Sequence, residues 1–354
     1  MDTQFVLRGL PNLGATCYLN SILQILCNIP ELRVSRVIHT SNPDAAANSA
    51  CDAYETWLKG HINPTSENTQ ALHAFIMKFI NYYRNFGSGM QDQHEYLMLL
   101  LKILHDCRST ACVFKINGVK KTVVDVLEEK ALQNLRRDGM WTSFNNVAID
   151  SDRGWNSTVF QTFTGQFHFQ TVCKSPDCKY VSHRFETFRS IDVDIPAVKN
   201  QLCLTDCLSN AINVSQLDAD NCYECDKCAR RNQALRKMTV WRLPPVLVIC
   251  LKRFTTNYNR DQVSISKNNA KILIPQVLDM TPYLSVNLNG ANSYELIGLA
   301  NHIGSPQGGH CFSYLKNTSS NKWFLANDAH IEDLPNDCNF NGAEPYLLFY
   351  RRQK

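Results

Sequence analysis

The sequence predicts an α+β protein with its helices gathered in the first third and strands in the remainder, and three observations carry that reading. From Thr16 to Ile29 and again from Gln91 to Asp106 apolar residues recur at three- and four-residue intervals. Beyond about Val159 they alternate with polar ones, the pattern of half-buried strands. Hydrophobic residues make up 44% of the 354 and charged residues 19%, the balance of a globular chain long enough to bury a large core.

The first helix is predicted from near Thr16, where Tyr18, Ile22, Ile25 and Ile29 share a face until Pro30 stops it. A second runs from about Gln91 to Asp106 and carries the stripe Leu97, Leu100, Leu101 and Leu104. Among the strands, Phe167 and Phe169 share one face, and Ile191, Val193 and Ile195 are spaced by Asp192 and Asp194. Val246 to Leu251 is continuously apolar after Pro244 and Pro245, so it reads as a strand buried on both faces. Later strands are predicted at Tyr294 to Ala300, Cys311 to Leu315, Trp323 to Leu325 and Tyr346 to Tyr350. Asn42 to Ser49 and Asn257 to Asn269 are polar and read as loops.

Composition narrows the function classes. Lys plus Arg is 36 against 32 Asp plus Glu, a net charge of +4 that supports neither a nucleic-acid nor an anionic-membrane partner. The basic run Arg230, Arg231, Arg236 and Lys237 lacks interleaved aromatics and reads as a solvated face. The longest apolar runs fall far short of the ~20 residues of a spanning helix. Asp2 and Arg8 interrupt any apolar leader, so a cytoplasmic or nuclear monomer is expected. Fifteen cysteines without a secretory signal point to metal ligands, a nucleophile and small buried hydrophobes rather than a disulfide framework.

The segment Gly9-Leu10-Pro11-Asn12-Leu13-Gly14-Ala15-Thr16-Cys17 places a thiol where a loop becomes a helix. Unpaired N–H groups and the positive end of the helix dipole favour a thiolate there. The small run Gly14-Ala15 admits a substrate backbone, and Asn12 can offer N–H groups to an oxyanion. Taken alone, Cys17 reads as a buried small hydrophobe. A base for it is available in Gly308-Gly309-His310-Cys311, and Asn327 or Asp328 could accept the Nδ1 proton of His310, leaving Nε2 facing the sulfur. Two cysteine pairs, Cys173 with Cys178 and Cys225 with Cys228, have four and two intervening residues, a set that suits tetrahedral Zn²⁺ at the tips of two hairpins. Cys222 could substitute for one of these ligands.

Five ordered blocks make the chain recognisable: Gly9 to Ser21, Gln91 to Leu97, Leu243 to Phe254, Tyr294 to His310 with Trp323 to Asp328, and Tyr346 to Tyr350. It resembles the ubiquitin-specific protease family of deubiquitinases over nearly its whole length. The resemblance implies a single catalytic domain over residues 1–354 with a papain-like cysteine protease core. A helical thumb would occupy 1–125, a palm 126–160 and 255–354, and zinc-bearing β-rich fingers 161–254. It implies the triad Cys17, His310 and Asn327, with Asn12 in the oxyanion hole and Asp328 able to share the orienting role. It further implies Gln91 to Leu97 bordering the channel for a ubiquitin tail, and a structural zinc on Cys173, Cys178, Cys225 and Cys228. Ubiquitin or a ubiquitin-like modifier on modified proteins would be the partner. The short core and Lys322-Trp323-Phe324 also resemble the branch acting on an interferon-induced modifier, and an inactive ubiquitin-binding scaffold is a further alternative. Cys311 departs from the family's aromatic residue and reads as packed and inert, although a second thiol beside His310 is a redox liability; Pro345 stands where a small residue is usual.

Overall fold

The computed structural model describes residues 6–33, 44–63, 68–84, 86, 89–111, 113–116, 119–122, 155–197, 202–218, 220–259, 262–285, 292–306, 308–318, 320–335, 337–342 and 344–353. Most of the expected palm segment 126–160 lies outside these residues.

The helical third begins with α1 (Cys17–Cys27), every residue of which is buried. Pro30 opens the next helix, α2 (Pro30–Arg33), instead of merely ending the first, because proline at the first helical position forfeits an N–H that has no helical acceptor. Then follow α3 (Ala45–Ile62), α4 (Asn68–Tyr82) and α5 (Gln93–Arg108). The loop expected up to Ser49 is helical from Ala45, since Asp44 caps α3 by accepting from Ala46 N at 3.0 Å and Ala47 N at 3.1 Å. Rings lock the helices together: Tyr18 meets Tyr96 edge-on at 5.7 Å between α1 and α5, and Tyr54 meets Phe75 at 5.3 Å between α3 and α4.

Short elements lead into the β-rich part: β1 (Thr110–Ala111), β2 (Val113–Ile116), β3 (Val119–Thr122), β4 (Trp155–Asn156) and α6 (Thr158–Phe163). The alternation expected from Val159 therefore starts later, because Ser157 caps a helical turn by accepting from Phe160 N at 3.0 Å. Next come β5 (Gly165–Cys173), β6 (Val181–Phe188), β7 (Ile191–Asp194), β8 (Leu202–Cys203) and α7 (Leu204–Ala211). After α7 lie β9 (Val214–Leu217), β10 (Tyr223–Glu224), β11 (Arg231–Asn232), β12 (Ala234–Arg242) and β13 (Val246–Lys252). The remaining strands are β14 (Phe254–Asn259), β15 (Gln262–Lys267), β16 (Ile272–Leu273), β17 (Val277–Asp279), β18 (Ser293–Ser305), β19 (Gly308–Lys316), β20 (Trp323–Asn327), β21 (His330–Leu334) and β22 (Pro345–Arg352).

Among the described residues two sheets dominate. One has the order β6-β5-β12-β9, and the other β21-β20-β19-β18-β22-β13-β7 with β17 added beside β18. The interval 161–254, expected as one β-rich unit, is therefore divided: β7 and β13 join the larger sheet. The burial of β13 explains why. Val246, Val248 and Cys250 face the core shared with α1 and α5, while Leu247, Ile249 and Leu251 face a second core formed with Ile191, Val193 and α7. A strand apolar on both faces must be covered on both, and only the larger sheet offers that.

The loop expected at Asn257 to Asn269 is instead the hairpin β14–β15, paired from Phe254 with Lys267 to Asn259 with Gln262. Its polarity reflects exposure rather than irregularity. Behind it Arg253 is fully buried, and its guanidinium donates to the carbonyls of Pro345 (2.6 Å), Asn268 and Ala270 (both 2.9 Å) and Gly342 (3.4 Å). Burial draws its pKa down to about 10, so it stays charged at neutral pH and ties the hairpin to β22.

Candidate active site

The segment entering α1 is held from both sides. Leu10 N donates to the Asp328 carbonyl at 2.8 Å, and Asn20 of α1 donates from Nδ2 to the carbonyls of Leu10 (3.3 Å) and Pro11 (3.1 Å). Asn12 then folds the chain into the helix: its Oδ1 accepts from Gly14 N at 3.1 Å and Thr16 N at 3.2 Å. This tight turn requires left-handed backbone, with φ of +99° at Gly14 and +52° at Ala15. Glycine meets that need at no steric cost, whereas Ala15 holds local strain beside the nucleophile. The outcome is Cys17 as the first residue of α1, 2% exposed.

The Cys17 thiol is drawn down to about 6 from an ordinary thiol value. The Cys311 thiol, donating to the sulfur, contributes most; burial opposes it, and the Cys311 backbone N–H and the charge of His310 add to the lowering, while Asp328 works against it. At neutral pH Cys17 is thus chiefly a thiolate. Cys311 is packed as expected, 2% exposed in the core around α1, and from that position it also lowers the Cys17 pKa. As the converse of one shared proton, the Cys311 thiol is pushed far up.

His310 lies on β19 opposite Ile303 of β18, and its Nε2 meets Asn327 Oδ1 at 2.6 Å. Because Oδ1 only accepts, Nε2 carries the proton and Nδ1 is the nitrogen left for the sulfur. The two nitrogens exchange the roles the sequence predicts, with Nε2 rather than Nδ1 on the orienter. Asp328 is occupied elsewhere. With φ of +49° it turns toward α1, where Oδ1 accepts from Asn20 Nδ2 at 2.8 Å and Oδ2 from Asn12 Nδ2 at 2.9 Å. An amide nitrogen has two hydrogens, and this bond uses one of those on Asn12.

Beside Cys311 opens a cavity of about 290 Å³ whose walls include Asp92, Gln93, Phe254, His302 and Tyr346. Asp92 caps α5, accepting from His94 N at 2.8 Å and Glu95 N at 2.9 Å, and also accepts from the Tyr346 hydroxyl at 2.7 Å. Gln93 Nε2 donates to Ser21 Oγ at 2.7 Å, fixing α5 to α1. The Gln91 to Leu97 block is therefore both a capped terminus and a cavity wall. His302, which motif reading gave no role, is buried there with Nδ1 unpartnered, and burial draws its pKa down to about 4. Gly309 is needed against it: a Cβ would come within 2.5 Å of His302 Nε2 and 2.3 Å of the Ile303 carbonyl.

The four cysteines predicted as ligands also converge. The sulfurs of Cys173, Cys178, Cys225 and Cys228 lie within 4.8 Å of one another, and Cys178 and Cys225 are 3.7 Å apart. Bonds of ~2.3 Å to a tetrahedral ion imply sulfur separations of ~3.8 Å, so this cluster is positioned to bind a metal. Matching turns build it, with Lys179 N donating to Ser175 O and Ala229 N to Cys225 O, each around a left-handed residue. Cys222 is not among the four.

Papain-like cysteine protease cores share this division of labour, a thiol heading a buried helix and its imidazole on a facing antiparallel sheet, and the fold and site place the chain in that class. It belongs to the ubiquitin carboxyl-terminal hydrolase family, whose model matches residues 8–350. Ubiquitin carboxyl-terminal hydrolase 2 of Bos taurus is 28% identical over 361 residues, covering 97% of this chain and 55% of the relative. Ubiquitin carboxyl-terminal hydrolase 5 of Saccharomyces cerevisiae is 27% identical, covering 97% of this chain and 44% of the relative. A solved structure of a SAGA DUB module bound to monoubiquitin matches with a TM-score of 0.71 and 25% identity, over all of this chain and 71% of that one. The chain spans about half the length of the curated relatives it matches.

The dependence on Cys311 is directly testable. A donor to the thiolate stabilises the charged form, so Cys311→Ala raises the Cys17 pKa. Alkylation of Cys17 by iodoacetamide, which rises with pH as the thiolate forms, is expected to show its midpoint near 6 in the parent. In the variant the midpoint moves up toward the ordinary thiol value of ~8.5, and reactivity at pH 7 falls. An unchanged midpoint would assign the lowering to the helix terminus and His310 instead.

Proposed function

We propose that the chain is a deubiquitinase, hydrolysing the isopeptide bond that follows the C-terminal Gly-Gly of ubiquitin on modified proteins. The observation that carries this reading is a buried thiolate at a helix start, an imidazole oriented by Asn327 and a cavity that Cys311 helps to line. Family membership and the likeness to a DUB module bound to monoubiquitin support the same substrate.

In this reading the modifier's extended tail lies in the cavity, where glycines fit because no side chain needs room. The Cys17 thiolate attacks the terminal glycine carbonyl, and the second Nδ2 hydrogen of Asn12 with backbone N–H groups stabilises the oxyanion. As the C–N bond breaks, His310 passes its Nδ1 proton to the departing lysine amine. Water then gives a proton back to His310 as it attacks the thioester, releasing the carboxylate and restoring the thiolate. Cys173, Cys178, Cys225 and Cys228 would hold a structural Zn²⁺, whose chemistry is to bind the two turns together with no part in the reaction.

Ubiquitin carrying a C-terminal electrophile tests the proposal, with the interferon-induced modifier carrying the same warhead in parallel. The expected result is a covalent adduct mapped to Cys17 by peptide mass spectrometry with the ubiquitin probe. An adduct only with the second probe would move the substrate to that modifier. No adduct from folded protein would make it a scaffold.

A further inference from the structure

The residues Cys250, Asp192 and His94 have no part in the mechanism above, yet three distant segments bring them together. Strands β7 and β13 run parallel with Asp192 directly opposite Cys250. Both side chains face α5, whose first turn lays His94 over them: His94 Nε2 stands 3.5 Å from Asp192 Oδ1. Ser190 Oγ lies beside both, 2.9 Å from His94 Nε2 and donating to Asp192 Oδ1 at 2.7 Å. The imidazole nitrogen, carboxylate oxygen and thiol sulfur all lie within 4.8 Å of one another.

We propose that His94, Asp192 and Cys250 form a second zinc site, separate from the four-cysteine cluster and set between the start of α5 and the larger sheet. The donor set is one sulfur, one nitrogen and one oxygen, which suits Zn²⁺ better than hard cations such as Mg²⁺ or Ca²⁺. Charge agrees as well. A thiolate and a carboxylate supply two negative charges, so a divalent ion leaves the site neutral, and binding releases the Cys250 proton. Zinc bonds of ~2.0–2.3 Å in tetrahedral geometry imply ligand separations of ~3.3–3.8 Å, a range that already contains the His94 to Asp192 distance. The sulfur needs only a small approach to join them. Burial grades from Cys250, 3% exposed, through His94 to the exposed Asp192, which gives the ion a route in and leaves a fourth position to water.

The site has a consequence for the neighbouring cavity. Asp92 and Gln93, immediately before His94, line it, and Tyr346 hydrogen-bonds Asp92 while contacting Cys250. A metal clamp here joins α5 to β7 and β13 and immobilises that wall.

The test is metal stoichiometry of the full chain. Parent protein, Cys250→Ser and His94→Gln are each equilibrated with a zinc buffer at neutral pH, desalted and analysed for zinc per chain, with circular dichroism melting to establish folding. The four-cysteine cluster is intact in all three, so the expected result is one equivalent fewer in each variant than in the parent, with zinc affinity at this site weakened at least ~100-fold. Cobalt substitution supplies a second readout: the visible d–d and thiolate charge-transfer absorption per chain falls in His94→Gln by one site's share, while the four-cysteine cluster's own bands persist. Equal zinc content in parent and folded variants overturns the proposal, and so does a parent whose whole zinc content is removed by Cys225→Ser.

Discussion

Cys17→Ser is expected to lower single-turnover cleavage of a ubiquitin C-terminal amide by at least ~10⁴-fold at neutral pH while leaving ubiquitin affinity within a few-fold. The surroundings of Cys17 are tuned to a thiolate. The Cys311 thiol and N–H bring an ordinary thiol down to about 6 against the opposition of burial. The same donors acting on a serine hydroxyl, whose proton is held far more tightly, leave it neutral, and burial at 2% exposure then disfavours an alkoxide further. Affinity is spared because the modifier's globular surface would rest on other parts of the fold. Stopped-flow cleavage of a fluorogenic ubiquitin amide gives the rate, and calorimetry gives the affinity. A serine variant within ~100-fold of the parent would place the chemistry elsewhere.

What could be read in the sequence divides along a physical line. Segments whose contacts are local or dense in large aliphatics were legible: α1, the leucine stripe of α5, and β13 with its unbroken apolar run. α3 escaped notice because its buried face is Ala47, Ala50, Cys51, Tyr54, Trp57, Leu58 and His61. That face has helical spacing, but small residues, rings and a histidine dilute the hydrophobic signal on which periodicity depends. The hairpin β14–β15 escaped for another reason: Val263 and Ile265 do alternate with polar residues, but they are only two apolar positions in a polar stretch, and Ile265 is itself 43% exposed.

The candidate site shows the same division. The four-cysteine cluster was visible because two tight turns leave a spacing in the sequence. His310 and Asn327 stand 17 residues apart, and only the order of blocks linked them to Cys17. The choice between Asn327 and Asp328 rests on backbone alone: at φ +49° Asp328 leaves the strand and turns its carboxylate to Asn12 and Asn20. No residue-type preference announces that turn. The trio His94, Asp192 and Cys250 comes from three separate elements with no shared spacing at all.

His310→Ala is expected to cost ~10³–10⁴-fold in kcat, and Asn327→Ala markedly less, ~10–10²-fold. The order follows from what each side chain does. Without His310 no group protonates the departing amine or takes the proton of the attacking water, and one source of thiolate stabilisation is lost as well. Without Asn327 the imidazole remains, but its 2.6 Å bond through Nε2 is gone, so the ring samples orientations and a tautomer that present the wrong nitrogen. Added imidazole should therefore partly rescue His310→Ala and leave Asn327→Ala unchanged, since only the first lacks a proton carrier. Asp328→Ala supplies the contrast. Its carboxylate holds Asn12, so its loss should act through the oxyanion donor and the loop before Cys17, with the imidazole still oriented. Pre-steady-state bursts with a ubiquitin ester and a ubiquitin amide separate these cases. An ester has a good leaving group and needs no protonation, so His310→Ala should recover more of its rate on the ester than Asp328→Ala does, whereas equal losses on both substrates would remove His310 from the role of general acid.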